Sequence, residues 1–224
     1  MKKQVIFGLI LAAAGALFAT STPAFATPIT STVSLGTVYT GATPAGTPPW
    51  LVATFVQTGA TTGTLTLTSH LSTPNFLQGL NSSHSTVGWA FYLDQSLSSI
   101  SCTSGTCGNG NSGFNAGGFN TGPVPGTFNL GFGWGPGSSH RFMAGSSAVY
   151  DLTFASALTA NPFVANSSGY ASVAHVQGIV NGGSGWIVGW SSGPVGVPEP
   201  AALGMFGLGL LAIGLFAGLR RRPQ

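Results

Sequence analysis

Residues 64–71, TLTLTSHL, constrain the fold of this chain more than any other stretch, because polar and apolar side chains alternate along them. Leu65 and Leu67 fall on one face of this run, whereas the threonines and His70 fall on the other. A period of two is typical of a β-strand with one buried face. The preceding run Trp50–Gln57 is apolar and β-branched, and the loop-like segment TGATTG separates the two runs. We therefore predict a β-hairpin here.

Short strand-like runs continue along the chain. Six further runs of apolar, β-branched or aromatic residues are candidate strands: Thr32–Tyr39, Val87–Leu93, Phe128–Trp134, Val149–Phe154, Ala171–Val180 and Gly185–Trp190. The last two are joined through Asn181-Gly182, a pair that supplies the positive φ angles of a tight hairpin turn. Many short strands with glycine-rich turns predict an all-β fold, with a single β-sandwich or jelly-roll-like ectodomain over residues 27–196.

The segment Ser96–Gly126 interrupts this pattern, because it is rich in Gly, Asn and Ser and contains both cysteines. We predict that it forms a large surface loop. Four residues separate Cys102 from Cys107, and the signal-peptide features of residues 1–26, given in the next paragraph, predict export to an oxidising compartment, so we predict a disulfide between them. The alternatives are metal ligation and redox catalysis. Ligation favours further Cys or His at regular spacing and redox catalysis favours C-x-x-C, and the sequence has neither pattern.

Residues 1–26 have the features of a secretory signal peptide. Lys2 and Lys3 precede an apolar stretch, and Ala24-Phe25-Ala26 forms a small-x-small cleavage pattern. The apolar stretch is short for a permanent anchor. We therefore predict that the chain is exported and that the mature protein begins near Thr27.

The predicted ectodomain is almost free of charge. Between residues 27 and 196 the only charged side chains are those of Asp94, Arg141 and Asp151. The formal net charge of +3 therefore comes from the two ends of the chain, and a basic groove for nucleic acid is excluded. A neutral surface of Ser, Thr, Asn and Gly has little charge repulsion to keep molecules apart, which suits a protein of a matrix or a cell surface.

Few residues of the ectodomain are suited to catalysis. Hydrolysis usually needs a pair of carboxylates or a nucleophile with a base, and the ectodomain has only Asp94 and Asp151 as carboxylates. The four histidines of the chain do not follow a known metal-binding spacing. We predict that the protein is not an enzyme and that it has no catalytic residues, no metal site and no cofactor.

The tryptophans offer the best candidate for a binding site. Trp186 and Trp190 lie four residues apart on one predicted strand and therefore share a face. Tryptophan is also a residue from which the core of a β-sandwich is built, and core packing is favoured for any single tryptophan here. If the shared face is open, Trp186 and Trp190 form a candidate platform for stacking on a glycan.

The C-terminal region has three parts in sequence. Val197, Pro198, Glu199 and Pro200 come first, and the two prolines hold an extended backbone that a processing enzyme can bind. Residues 201–219 follow without a charge, and as a helix they span about 28 Å, close to the thickness of a bilayer core. Arg220, Arg221 and Arg222 begin a basic tail over residues 220–224. We predict a transmembrane helix with this tail in the cytoplasm and the ectodomain outside.

Together, V-P-E-P, the apolar helix and the arginine cluster resemble the PEP-CTERM sorting signal of exported bacterial proteins, over residues 197–224. The resemblance implies that an exosortase, a membrane-embedded transpeptidase-like enzyme, recognises the tail and removes it. It also implies a Gram-negative exopolysaccharide producer, with transient anchoring in the inner membrane before display at the cell surface or in the extracellular matrix. The implied partners are the exosortase and, as a further candidate, an exopolysaccharide.

These observations predict an exported, exosortase-processed protein with a structural or adhesive role in a biofilm matrix or at the cell surface. A carbohydrate-binding module is the first alternative, and a secreted hydrolase is the second.

Overall fold

The structure is a computed structural model that describes residues 28–77, 79, 87–108, 112–135, 137 and 140–192. These residues all fall within one structural unit, Pro28–Val195. The predicted signal peptide, the V-P-E-P segment, the transmembrane helix and the arginine cluster lie outside the described residues.

Twelve strands form the described part of the chain. They are β1 (Thr30–Gly41), β2 (Leu51–Gln57), β3 (Thr62–Ser69), β4 (Phe76–Leu77), β5 (Trp89–Phe91), β6 (Leu97–Gly105), β7 (Gly113–Phe114), β8 (Leu130–Phe132), β9 (Phe142–Met143), β10 (Ser147–Phe154), β11 (Ser172–Ile179) and β12 (Gly183–Ser192). The described residues contain no α-helix, and a short 3-10 turn, Val180–Gly182, joins β11 to β12. The all-β prediction is therefore confirmed, and each of the eight predicted strands has a counterpart.

The strands pair into one antiparallel sheet rather than into two separate sheets. The order is β6-β10-β3-β2-β1-β12-β11-β5-β8-β7, with β4 and β9 attached beside β11. The two ends of this path, β6 and β7, lie in contact, so the sheet is nearly closed into a barrel. The predicted sandwich differs from this arrangement because a central pair, β1 with β12, joins the two halves of the sheet through continuous backbone hydrogen bonds.

Both predicted hairpins are present. β2 and β3 pair in register from Leu51 opposite Ser69 to Gln57 opposite Gly63. β11 and β12 are joined by a turn in which Asn181 has φ 65° and the next glycine has φ 74°. Only glycine and, less readily, asparagine adopt positive φ at low cost, so this sequence is suited to its turn.

The core lies on the inner face of the curved sheet. Alternate residues of β2 and β3 point inward and are at most 1% exposed: Leu51, Ala53, Phe55, Leu65 and Leu67. Aromatic rings fill the space between distant strands, and Trp134 stacks on Phe142 with ring centroids 4.6 Å apart. Burying one large apolar side chain contributes about 1.5–3 kcal/mol, so these inward faces hold the fold together.

The predicted surface loop Ser96–Gly126 contains more structure than its composition suggests. Strand β6 occupies its first part and pairs with β10 along the edge of the sheet. Further along, residues 115–128 cross the outer face of β5, β8, β11 and β12, where they cover a second apolar cluster. Val124 and Phe128 are buried in this cluster against Val173 and Val188. The segment is therefore an edge strand followed by a covering segment.

Candidate functional site

Strand β12 carries both residues of the predicted glycan platform. It lies between β1 and β11, and Trp186 and Trp190 point to the outer face of the sheet on either side of Val188. Trp186 is half-buried, whereas Trp190 is 52% exposed. The two rings share a strand face as predicted, but they differ in exposure because different residues pack around them.

Trp186 is packed against protein. Its ring stacks on His175 of β11, with centroids 4.5 Å apart and an interplanar angle of 13°. Gly122 of the covering segment also approaches the ring, since a Cβ built on this glycine would lie 2.7 Å from Trp186 Cζ2. Gly122 has φ +62°, which a residue with a side chain adopts only at a cost. Trp186 therefore helps to attach the covering segment and does not offer an open ring.

His175 is part of the same packing. Its backbone N–H donates to the carbonyl of Gly88, and its Nδ1 is buried without a hydrogen-bond partner in the described part of the chain. Burial lowers the pKa of His175 below its ordinary value of 6.5. The stacked imidazole is therefore neutral at pH 7 and acts as a flat surface against Trp186.

Trp190 belongs to a different group of rings at the surface. Its ring lies 6.3 Å from that of Tyr170, and the Tyr170 ring in turn makes an edge contact with Tyr39 at 5.9 Å. Tyr39 is 39% exposed and Tyr170 is half-buried. We call Tyr39, Tyr170 and Trp190 the aromatic cluster. No pattern in the sequence links the two tyrosines, because they lie about 130 residues apart in the chain and share no motif.

A buried asparagine fixes the turn that presents Tyr170. Asn166 Oδ1 accepts hydrogen bonds from the backbone N–H groups of Ser168 and Tyr170, at 2.9 and 3.1 Å. The Asn166 side-chain amide donates to the carbonyls of Pro125 and Thr127 in the covering segment, both at 3.4 Å. Asn166 is only 6% exposed. This turn is therefore tied to the covering segment by the same side chain that shapes it.

Hydroxyl groups line the outer face beside the aromatic cluster. In strand register, Trp190 lies opposite Ser34, and the neighbouring row runs from Thr32 through Thr54 to Thr66. These residues alternate with the buried core residues, so their side chains point outward. We call Thr32, Ser34, Thr54, Thr64, Thr66 and Thr68 the hydroxyl face. The alternation in TLTLTSHL contained the signal for this surface.

Most of the hydroxyl face is unoccupied by internal hydrogen bonds. The hydroxyls of Thr54, Thr66 and Thr68 have no partner among the described residues. One carboxylate lies at the border of the face, where Thr64 donates to Asp151 Oδ1 at 3.3 Å. Threonine is a good strand former, and cross-strand Thr–Thr pairs stabilise a sheet. The same residues leave donors and acceptors directed away from the core.

The remaining charged side chains lie in separate surroundings. Asp94 lies in a turn after β5, where its backbone N–H donates to the carbonyl of Pro162, and partial burial raises the pKa of its carboxyl above the ordinary value. The Arg141 guanidinium lies 4.0 Å from the centre of the Phe76 ring. Within the described ranges, no group of three or more His, Cys, Asp or Glu residues is placed to hold a metal ion.

The two cysteines are bonded at the end of the edge strand. Cys102 and Cys107 form a disulfide with Cα atoms 5.9 Å apart. The residues around it seal one end of the core, since the Gly108 N–H donates to the hydroxyl of buried Tyr150 at 2.9 Å and Trp134 Nε1 donates to the Thr106 carbonyl at 2.9 Å. The disulfide therefore closes a short turn that is anchored to core aromatics.

The comparisons with known proteins concern the C-terminal region. Residues 196–222 match the family model of the PEP-CTERM protein-sorting motif. The chain carries a PEP-CTERM sorting motif. This motif implies export, transient membrane anchoring and an exosortase as the processing partner. Comparison with curated proteins and with solved structures found no match to this chain.

Within the part of the chain that the structure describes, no helix is long and apolar enough to cross a bilayer. The predicted helix over residues 201–219 stays a prediction, and the PEP-CTERM match covers it in sequence.

Proposed function

We propose that this protein is displayed at the cell surface or in the extracellular matrix of a Gram-negative exopolysaccharide producer, where it has a structural or adhesive role. The observation that carries the proposal is the PEP-CTERM motif over residues 196–222. The last described strand, β12, ends at Ser192, before the motif begins. Cleavage near Pro198–Pro200 therefore leaves every described strand in the released product.

The proposed order of events follows from the tail. The three arginines at residues 220–222 favour the cytoplasmic side, so the ectodomain lies outside the inner membrane when the exosortase meets it. Removal of residues 201–219 then deprives the protein of its apolar anchor. The mature protein is held at the surface by its own contacts and not by a membrane helix.

The chemistry of the ectodomain supports an adhesive role over a catalytic one. The hydroxyl face and the aromatic cluster offer many weak, neutral contacts over a wide area, which suits attachment to a matrix. Asp151 lies on the outer face beside Thr64, and Asp94 lies in a surface turn. No specific observation favours the hydrolase alternative, and we do not propose it.

Mass spectrometry of the protein recovered from its native host tests the sorting step. We expect the surface form to lack residues 201–219, with its new C-terminus near Pro198–Pro200. The double variant Pro198→Ala/Pro200→Ala should retain the apolar tail and stay in the inner membrane. The variant Pro194→Ala, outside the matched motif, is the control and should be processed normally. An intact tail on the surface form of the natural protein contradicts the proposal.

Retention at the surface tests the adhesive role separately. Contacts between neutral groups are insensitive to screening, so the mature protein should stay with the cells during a 1 M salt wash. The double variant Thr54→Lys/Thr66→Lys places two charges on the hydroxyl face and should release the protein into the medium. Thr159→Lys/Ala160→Lys places the same charges in an exposed loop after β10 and should not. Equal release of both variants contradicts the role of this face.

A further inference from the structure

We infer that the aromatic cluster and the adjoining hydroxyl face together bind a neutral polysaccharide, with the Trp190 ring stacking on a sugar ring and strand hydroxyls bonding sugar hydroxyls. This site gives the proposed adhesive role a partner of defined chemistry. It depends on the proposed function only for access to polymers outside the cell.

Trp190 presents an open aromatic ring at the surface. Trp190 is one of five large hydrophobic side chains in the described residues that remain exposed, and Tyr39 is another. A sugar ring presents an apolar C–H face that packs on a flat aromatic ring, while the polar edge of Trp or Tyr remains wet. The ring centroids are 6.3 and 5.9 Å apart, but the rings are inclined to one another by 48° and 85°, so Trp190 offers the stacking face and the tyrosines flank it.

The site is held in place before any ligand binds. Asn166 fixes the turn that carries Tyr170 through two accepted hydrogen bonds and ties it to the covering segment. Trp190 lies on a strand that is hydrogen-bonded on both sides. Tyr and Trp have few rotatable bonds, so little conformational entropy is lost when they contact a ligand.

The hydroxyls continue the site away from the rings. Ser34 lies opposite Trp190 on the next strand, and Thr68 lies two strands further along the same row, with Val52 between them. Neighbouring strands are spaced about 4.7–4.9 Å apart, so the row of Thr32, Thr54 and Thr66 presents hydroxyls at regular intervals. Those of Thr54, Thr66 and Thr68 are free of hydrogen bonds to the described residues and can both donate and accept.

Charge selects the class of polymer. The row that contains Trp190 and Ser34 has no charged side chain. The row of Thr32, Thr54 and Thr66 has none either. Asp151, beside Thr64, is the charge at the border, and it repels an anionic chain. A polyanion that bound here would lose the water around its charges and would find no positive charge to pair with them. A neutral polysaccharide does not pay this cost. The chemistry of the surface thus favours a neutral, hydroxyl-rich polymer.

A second copy of the chain fits the surface less well. Stable interfaces between proteins have a well-packed core depleted of charge and enriched in large side chains. Here only one edge of the surface is aromatic, and the remainder is serine and threonine with Val52 and Val56 between them. The hydroxyl rows offer hydrogen bonds to a hydroxylated polymer, whereas their apolar side chains, Val52 and Val56, are separated by threonine and form no continuous apolar patch for a protein.

Affinity electrophoresis of the full chain, purified in a zwitterionic detergent without sugar groups, tests the inference. Native gels would contain a soluble neutral β-glucan, α-glucan or galactomannan, with alginate as the anionic probe. We expect one or more neutral probes to retard the protein equally at 50 mM and 500 mM salt. Trp190→Ala should weaken retardation at least about tenfold, corresponding to 1.4 kcal/mol. Trp190→Tyr should retain most of it.

Met143→Ala is the matched control, because Met143 is 41% exposed but lies outside the cluster. It should bind like the natural chain. Circular dichroism establishes that each variant is folded. The inference is overturned if no neutral probe retards the protein, if alginate alone does, or if Trp190→Ala binds normally. It is also overturned if Trp190→Ala changes only the oligomeric state. Mass spectrometry of the tail is a separate measurement, so failure here leaves the sorting proposal intact.

Discussion

Replacing Gly122 by alanine should destabilise the protein through contact with Trp186. Gly122 has φ +62°, and an alanine in this left-handed region costs about 1–2 kcal/mol. Its Cβ would also lie 2.7 Å from Cζ2 and 2.9 Å from Cε2 of the Trp186 ring. The ring cannot retreat freely because His175 stacks on it at 4.5 Å. Overpacking of this kind costs about 1–3 kcal/mol, so we expect a total loss of about 2–5 kcal/mol.

Urea unfolding of the mature protein measures this loss, with Gly145→Ala as the matched control. Gly145 has φ +75°, but a Cβ there meets nothing within 4 Å. Gly145→Ala should therefore cost only the backbone term of about 1–2 kcal/mol. The difference between the two variants isolates the steric term. If the two losses agree within about 0.5 kcal/mol, the covering segment does not press on Trp186 as described.

Three further predictions concern other parts of the ectodomain. Burial lowers the pKa of His175 in the folded protein, so as the pH falls this histidine is protonated in the unfolded chain before it is protonated in the folded one. The free energy of unfolding should therefore decrease as the pH drops below about 6.5. Subtracting the pH profile of His175→Phe from that of the natural chain, each measured by urea unfolding, isolates this loss; identical profiles would contradict it. Asn166→Ala removes the hydrogen bonds that its side chain makes to the turn and to the covering segment, and should cost about 1–3 kcal/mol in thermal unfolding while also weakening glycan binding. A change within about 0.5 kcal/mol would refute the role of Asn166 in the turn. Replacing Cys102 and Cys107 by serine should cost no more than about 2 kcal/mol, because the closed ring is short, and a larger loss in urea unfolding would show a wider structural role.

The strands that the sequence predicted share one property, which is a buried face. In β3 the alternation of threonine with leucine follows directly from one side facing the core. Strand β6 escaped prediction because its sequence, LSSISCTSG, has most residues exposed and no continuous apolar alternation. An edge strand of this kind is held by backbone pairing with β10, which leaves no pattern in the side chains.

The near closure of the sheet could not be predicted from the sequence either. A strand of a sandwich and a strand of a nearly closed sheet both bury one face, so their side-chain patterns are the same. The pairing of β1 with β12 decides between them, and these strands lie at opposite ends of the described chain. Long-range pairing is a property of the whole chain and not of either segment.

For the candidate site, too, the sequence predicts some features and the tertiary structure decides others. The sequence by itself determined that Trp186 and Trp190 share a strand face, that the ectodomain is nearly uncharged, and that a sorting motif follows it. Only the tertiary structure decided which ring stays open. His175 and the covering segment pack on Trp186, whereas Trp190 lies beside Tyr170 and remains exposed. Local periodicity determines which way a side chain points, but distant parts of the chain determine what covers it.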